Sequence, residues 1–598
     1  MEWADVSAHV RTVPAGSYDR AVADDFVWTC SSTPDRARPG QVLRDVMVEM
    51  RDGLSLATDV YLPDTEWPFP AVMIRLPYGK TVEYCGIPDI AAHWNRKGYA
   101  FVGQDCRGTY GSEGVFDPAH PTNEAYDGHD TVAWIAEQPW SSGKVALTGE
   151  SYYSVTSFAA ASIPHPALAC IAPGDFPVDR YDGTYRNGCL RLAAEALWAI
   201  WWVDPLNHPV PGEPLPGVDQ WHLPTLEMAD AAGLGNHYFS EIVGFCLPGS
   251  RYWDVRCRRE AHDAIDIPIL HWCGWFDNYT GQQLRDWKRY RALDRSGGRN
   301  FLMIGPWSHE GPPGPAERVG ILPVSDDGTH RWDRLQRFYD RNLLGIENGF
   351  EDEPRVSYFV MGADEWRTAD TWPPPGSETT AWYLHGDGAA TEGGALDASG
   401  PGDEPPDGYA YDPADPVAWT VGTNPWTFGL NIGDRRPIEA RADVLVYTSA
   451  PFARPVEIVG DLRARLHVAT DAVDTDFTMA LVDVFPDGAA NLIQDGIQRM
   501  SLREPERGRL LLKPGRAYEL EIDLWATAYR LGAGHRLRVE VSSSEFDRYD
   551  RNLNTAELPG RGSAMVVAHQ TVFHDAARPS HVLIPMRPLR SEGGGRGL

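Results

Sequence analysis

The stretch from Lys144 to Ala161 constrains the architecture of this chain more than any other. Val145, Ala146 and Leu147 form a short apolar run fit for a buried strand, Gly149 permits close passage at a sharp turn, and small residues from Ser154 to Ala161 follow as a helix. A strand that turns at once into a helix puts one side chain at the apex, here Ser151. A serine hydroxyl is a weak nucleophile at its own pKa, and an exposed apex lets a base reach it. The corner also aims the first N–H groups of the helix at the point where negative charge develops in acyl transfer. The pattern G-x-S-x-G is half met, because Tyr153 stands at the second Gly. Alone, such a triplet is as often an ordinary turn, so its partners decide.

A chain of 598 residues is too long for one core and divides into about two to four domains. The formal charge of −30 is spread along the sequence, which argues against nucleic acid and against anionic membrane surfaces as partners. No apolar run of about 18 residues is present to span a bilayer. The beginning Met1-Glu2-Trp3-Ala4-Asp5 has no basic segment followed by an apolar one, so a soluble cytoplasmic protein is expected. The eight Cys lack metal spacing and suit reduced thiols, with a Cys189 to Cys257 bridge left open.

Residues 1–40 read as an arm over the surface. Alternation through Val46, Val48 and Met50, then Leu54 to Val60, predicts a hairpin around Gly53. Ala71 to Leu76 is an apolar strand that delivers Tyr78 to its carboxyl edge, where ligands gather in open α/β sheets. A helix around His93 to Lys97, a strand at Tyr99 to Val102 and a helix at Asn123 to Gln138 lead to the Ser151 strand. The glycines between Arg107 and Gly114 read as a turn locked by an Asp105–Arg107 pair, not as a phosphate cradle, since no Lys follows. After a strand at Leu168 to Ile171, no strand is expected until Asp263, and helical spacing around Leu190 to Trp202 predicts a cap. Ile265 to Phe276 then presents Asp277, and Phe301 to Ile304 presents His309.

The order Ser151, Asp277, His309, each at a strand end, is that of an α/β-hydrolase triad. His309 would move the proton and Asp277 would fix its tautomer. The residues then resemble a known family, the cocaine esterase-like hydrolases related to X-prolyl dipeptidyl peptidases and α-amino acid ester hydrolases. The resemblance rests on Arg51-Asp52-Gly53, Asp59-Val60-Tyr61-Leu62-Pro63, Pro77-Tyr78-Gly79-Lys80, Asp105-x-Arg107-Gly108, Gly149-Glu150-Ser151-Tyr152, Gly274-Trp275-Phe276-Asp277 and Gly305-Pro306-Trp307-Ser308-His309. It implies Ser151 as nucleophile, Asp277 as acid, His309 as base, and an oxyanion hole from the Tyr78 hydroxyl and the Tyr152 backbone N–H.

Two positions depart from that family. Ser154 replaces a Gly three residues after the nucleophile, which predicts altered packing under the turn. Tyr279 and Thr280 replace the carboxylates with which α-amino acid ester hydrolases hold an ammonium, so Tyr279, with Trp275, is expected to line a pocket for an apolar or aromatic acyl group.

The predicted architecture is an α/β-hydrolase core over 41–178 and 265–370, a helical cap over 179–264, and an all-β sandwich over 371–598 that the resemblance implies is a jelly roll. Asp471, Asp474 and Asp476 read as a solvated turn. The expected activity is hydrolysis of a small carboxylic ester or activated amide through an acyl-enzyme, without metal or organic cofactor. Acyl transfer to an alcohol or amine, Xaa-Pro dipeptidyl peptidase action and a non-catalytic binding role are the alternatives, and a homodimer is left open.

Overall fold

Strands β1 (Gln41–Glu49) and β2 (Ser55–Leu62) form an antiparallel hairpin, and Gly53, at φ 85°, makes its turn. The computed structural model describes residues 40–587 and 589, apart from 119–120, 204–217, 235–237, 310–317, 320–321, 324–327, 389–392 and 420–432. The expected N-terminal arm, up to residue 39, lies outside the described residues. After the hairpin the chain alternates: β3 (Phe69–Leu76), α1 (Ile87–Arg96), β4 (Ala100–Asp105), α2 (Pro121–Ala136), β5 (Ser141–Glu150), α3 (Tyr152–Ala161) and β6 (Leu168–Gly174). Every residue of β3 and β4 is buried, as continuous apolar strands must be when helices cover both faces of a sheet.

Beyond the cap come β7 (Ile269–Gly274), β8 (Asn300–Gly305), β9 (Val356–Val360) and β10 (Glu365–Ala369). The ten-stranded sheet has the order β1-β2-β4-β3-β5-β6-β7-β8-β9-β10. It is parallel from β4 through β9, so the carboxyl ends of β3, β5, β6, β7 and β8 share one edge. Strand β7 starts at Ile269 rather than at Ile265, because Pro268 has no N–H to give a ladder.

The cap departs from the all-helical expectation. Tyr185–Arg186 and Cys189–Leu190 form a short hairpin, with Asn187 and Gly188 at φ 50° and 85° in its two-residue turn. Asn-Gly is the preferred pair where both central residues need positive φ. This hairpin docks on the C-terminal domain, where the Asn187 amide donates to the Ile497 carbonyl at 2.8 Å and the Leu190 N–H to Asp550 at 2.6 Å. The helix α4 (Leu192–Trp198) then runs back over the sheet edge.

The C-terminal domain is a jelly-roll sandwich built around two long paired strands, Val456–Thr470 and Tyr518–Leu531. Its first strands are Glu378–His385, Gly394–Asp397 and Asp407–Tyr411, where Leu384, Leu396, Tyr409 and Tyr411 are buried. One apolar core joins the two domains, with Phe276, Leu284 and Val356 packed among Ile458, Ile522 and Tyr529. At about 1.5–3 kcal/mol for each large apolar side chain removed from water, this shared core holds the sandwich on the hydrolase sheet. Met361 adds backbone bonds across the junction to Ala528 and Arg530.

Candidate active site

Ser151 has φ 58° and ψ −127°, a strained combination for a residue with a Cβ. Its N–H bonds the Gly174 carbonyl at 3.0 Å, which anchors the corner to the end of β6. Gly149 sits at φ 123°, and a Cβ there would lie 2.6 Å from the Tyr153 Cβ. The bulk of Tyr153 at the position usually given to Gly is thus accommodated by leaving Gly149 bare. The hydroxyl of Ser154 reaches the Phe176 carbonyl at 3.4 Å, so the Gly-to-Ser departure ties helix α3 to the segment after β6.

Tyr78 lies just past the end of β3. Its hydroxyl is hydrogen-bonded to the Ser151 side chain and accepts the indole N–H of Trp198 at 2.9 Å. Burial pushes its pKa well above the usual phenol value, and the bonds from Trp198 and Ser151 only partly oppose this, so it stays a protonated donor. Tyr152, whose N–H is the first in α3, stacks its ring against Trp198 and donates its hydroxyl to Glu124 at 2.8 Å.

On the other side, His309 Nδ1 meets Asp277 Oδ2 at 2.5 Å, with both side chains excluded from solvent. The second oxygen of Asp277 accepts the Tyr279 N–H at 2.6 Å, which fixes the carboxylate from both ends. Bonding through Nδ1 turns Nε2 toward the role of proton acceptor. The Tyr279 ring stands edge-on to His309 at 5.5 Å and packs against Phe176 at 4.6 Å.

Sheet topology brings Tyr78, Ser151, Asp277 and His309 to one edge, as the sequence places them. Two expectations are corrected. Trp275 does not line the site: it is fully buried, donates to the Phe359 carbonyl at 2.8 Å and packs on Trp372, because alternation along the chain turns it to the domain junction. Asp105 and Arg107 do not pair. Arg107 faces α2 and bonds Asp127 at 2.6 Å and Asp52 at 2.7 Å, whereas Asp105 accepts the Lys80 N–H at 2.7 Å. All seven described cysteines are unbridged, with Cys189 directed to Asp476 and Cys257 to Asp179.

Sequence reasoning did not single out Asp175, Phe176, Arg180 and Arg191. Asp175 follows β6, accepts the Gly274 N–H at 3.2 Å, and is pushed well above the ordinary carboxylate range by burial and then by Asp277. Arg180 lies over Phe176 and Trp198 and donates to Tyr238 at 3.0 Å. An acid directly after a strand is a readable signal for Asp175. The cap arginines carry none, since they look like surface charge.

Residues 52–311 match the X-Pro dipeptidyl-peptidase (S15 family), and residues 348–583 match the X-Pro dipeptidyl-peptidase C-terminal non-catalytic domain. The chain is 37% identical to cocaine esterase of Rhodococcus sp. (strain MB1 Bresler), over 91% of this chain and 98% of that one. Among solved structures, an aminopeptidase from a marine sediment archaeon, Thaumarchaeota archaeon, superposes with a TM-score of 0.82 at 25% identity, covering 93% of this chain and 99% of the other. An α-amino acid ester hydrolase has the same fold, with a TM-score of 0.79 at 23% identity and the same coverage. The chain belongs to the S15 family of serine hydrolases that holds the X-Pro dipeptidyl-peptidases and cocaine esterase.

Proposed function

We propose that Ser151, His309 and Asp277 act as nucleophile, base and acid in hydrolysis of a small carboxylic ester, with Tyr78 and the Tyr152 N–H as the oxyanion donors. Ser151 Oγ bonds to the carbonyl carbon while its proton passes to His309 Nε2, and Asp277 stabilises the imidazolium without taking the proton. The Tyr78 hydroxyl and the Tyr152 N–H hold the oxyanion. Collapse expels the alcohol, which leaves with the proton from His309. Water then attacks the acyl-enzyme by the same route and releases the acid.

The observation that carries this reading is the Tyr78 hydroxyl bonded to Ser151 and held by Trp198, on the same sheet edge as the His309–Asp277 pair. Similarity to cocaine esterase favours an ester over an Xaa-Pro peptide. The unbridged thiols support a reducing compartment, and no helix of the described residues is long and apolar enough to cross a membrane.

The test is intact-mass spectrometry after exposure to a fluorophosphonate. One adduct mapping to Ser151, absent in Ser151→Ala together with all ester turnover, is expected. Turnover surviving in Ser151→Ala would reject the assignment. Adding an alcohol or amine acceptor separates hydrolysis from acyl transfer, because transfer would divert the acyl group.

A further inference from the structure

Arg191 is a buried guanidinium with no carboxylate at ion-pair distance among the described residues. It is 2% exposed, its Nε and Nη2 make no hydrogen bond, and it forms no ion pair among the described residues. Such a group is costly unless something pairs with it. Its carbon lies 5.1 Å from the centre of the Tyr279 ring, and the same ring stands edge-on to His309 at 5.5 Å. One aromatic ring is therefore a neighbour of both the cation and the proposed catalytic base. Trp525 of the sandwich lies on another side of Arg191 at 5.7 Å.

The neighbouring carboxylates are engaged with other groups, and Glu195 and Asp182 feel Arg191 only from beyond ion-pair distance. Arg186 and Arg548 share Asp495, at 3.0 and 2.5 Å. Glu195, the acid nearest in sequence, faces Arg180 at 3.6 Å. Burial and the proximity of Asp495 push Glu545 up to about 8, so it is mostly neutral at pH 7. Arg186 and Arg548 instead lie close enough to oppose the charge of Arg191, inside a protein whose formal charge is −30. The overall field repels anions, and only a local cation reverses that.

We propose that Arg191 binds a carboxylate of the substrate, so that the enzyme prefers esters with an apolar body ending in a second, ionised carboxyl group. The body lies along Phe176 and Tyr279, and the fork of Arg191 takes the charge in paired hydrogen bonds. The inference rests on Ser151 as the nucleophile only for turnover; binding of the carboxylate does not need it.

Two half-esters place the charge on opposite sides of the scissile bond: monoethyl glutarate on the acyl side and 4-acetoxybutanoate on the alcohol side. Each is compared with a neutral ester of similar length, ethyl valerate or butyl acetate. For at least one pair, kcat/KM should favour the anion by roughly 10- to 100-fold, as a charged hydrogen bond allows. In Arg191→Gln that ratio should fall to about one, with Arg191→Lys in between. Glutarate should inhibit ethyl valerate hydrolysis competitively and raise the Tm of both wild type and Ser151→Ala, whereas glutaramide should do neither. No preference for either anion together with no glutarate binding overturns the proposal. So does an Arg191→Gln protein that loses both members of a pair in proportion, since that marks a structural role. Should Arg191→Gln not fold, the glutarate and glutaramide comparison on the wild type still decides. Glutarate binding without an adduct on Ser151 would keep this inference and remove the nucleophile assignment.

Discussion

The indole Nε1 of Trp198 donates to the Tyr78 hydroxyl at 2.9 Å across 120 residues of chain. The donor belongs to the cap helix and the acceptor to the end of a core strand. The cap therefore sets the direction of the hydroxyl that faces Ser151, besides covering the site.

Removing that hydroxyl in Tyr78→Phe should lower kcat by about 10²–10³, the usual cost of one oxyanion donor. Trp198→Phe should lower it by less, roughly tenfold, since the hydroxyl remains but loses its orientation. The combined variant should be no slower than Tyr78→Phe alone. Additive losses, measured in a double-mutant cycle, would show that Trp198 acts separately from Tyr78.

Asp277→Asn keeps the shape of the acid but can present its amide N–H to His309 and favour the wrong tautomer. A fall in kcat of about 10⁴ is expected, with the far-ultraviolet circular dichroism unchanged. A loss of tenfold or less would mean that another acid, with Asp175 the nearest candidate, supports the histidine.

Gly149→Ala should destabilise the serine corner, because the new methyl group meets the Tyr153 Cβ at φ 123°. A lower Tm and loss of the fluorophosphonate adduct are expected together. Gly149→Ala with Tyr153→Gly should recover part of both, and no recovery would indicate that backbone strain rather than the contact dominates.

Stability should fall as pH drops from about 7 to 5. His271 is buried in the hydrolase core and His262 packs against Phe158 from the end of the cap, and burial lowers their pKa to about 3 and about 4. The folded state keeps them neutral while the unfolded chain takes up protons below about 6.5, so the stability they contribute is present above that pH and is lost on acidification. At pH 5 each can cost up to about 2 kcal/mol relative to neutral pH. Tm measured by differential scanning fluorimetry should decline over this window, and His271→Gln should flatten the decline. An unchanged slope in that variant would exclude His271 as a source.

Ser151, Asp277 and His309 were legible as candidates because each follows an apolar strand within a few residues, so local pattern alone brings them to one sheet edge. Tyr78 was legible for the same reason. The contacts supplied by cap and sandwich were not, since Trp198, Arg180 and Arg191 come from the cap and Trp525 from the sandwich, and no short-range pattern reports which of them meet. Arg107 shows the limit at small scale. Its nearest acid in sequence is Asp105, yet it bonds Asp127, because helix α2 presents that carboxylate from 20 residues away. Asn187-Gly188 was a turn signal overlooked inside a region that reads as helical.

The hairpin at Tyr185–Leu190 reaches into the sandwich, where Arg186 bonds both the side chain and the carbonyl of Asp495 and lies 3.9 Å over Trp525. Cap and sandwich are thus locked together by one buried ion pair. Among relatives, positions 186 and 495 should covary, and a chimera that exchanges only the C-terminal domain would set a foreign partner against Arg186. A change in the β-domain is accordingly felt first in the cap that holds Tyr78 through Trp198, far along the gene from where it arose.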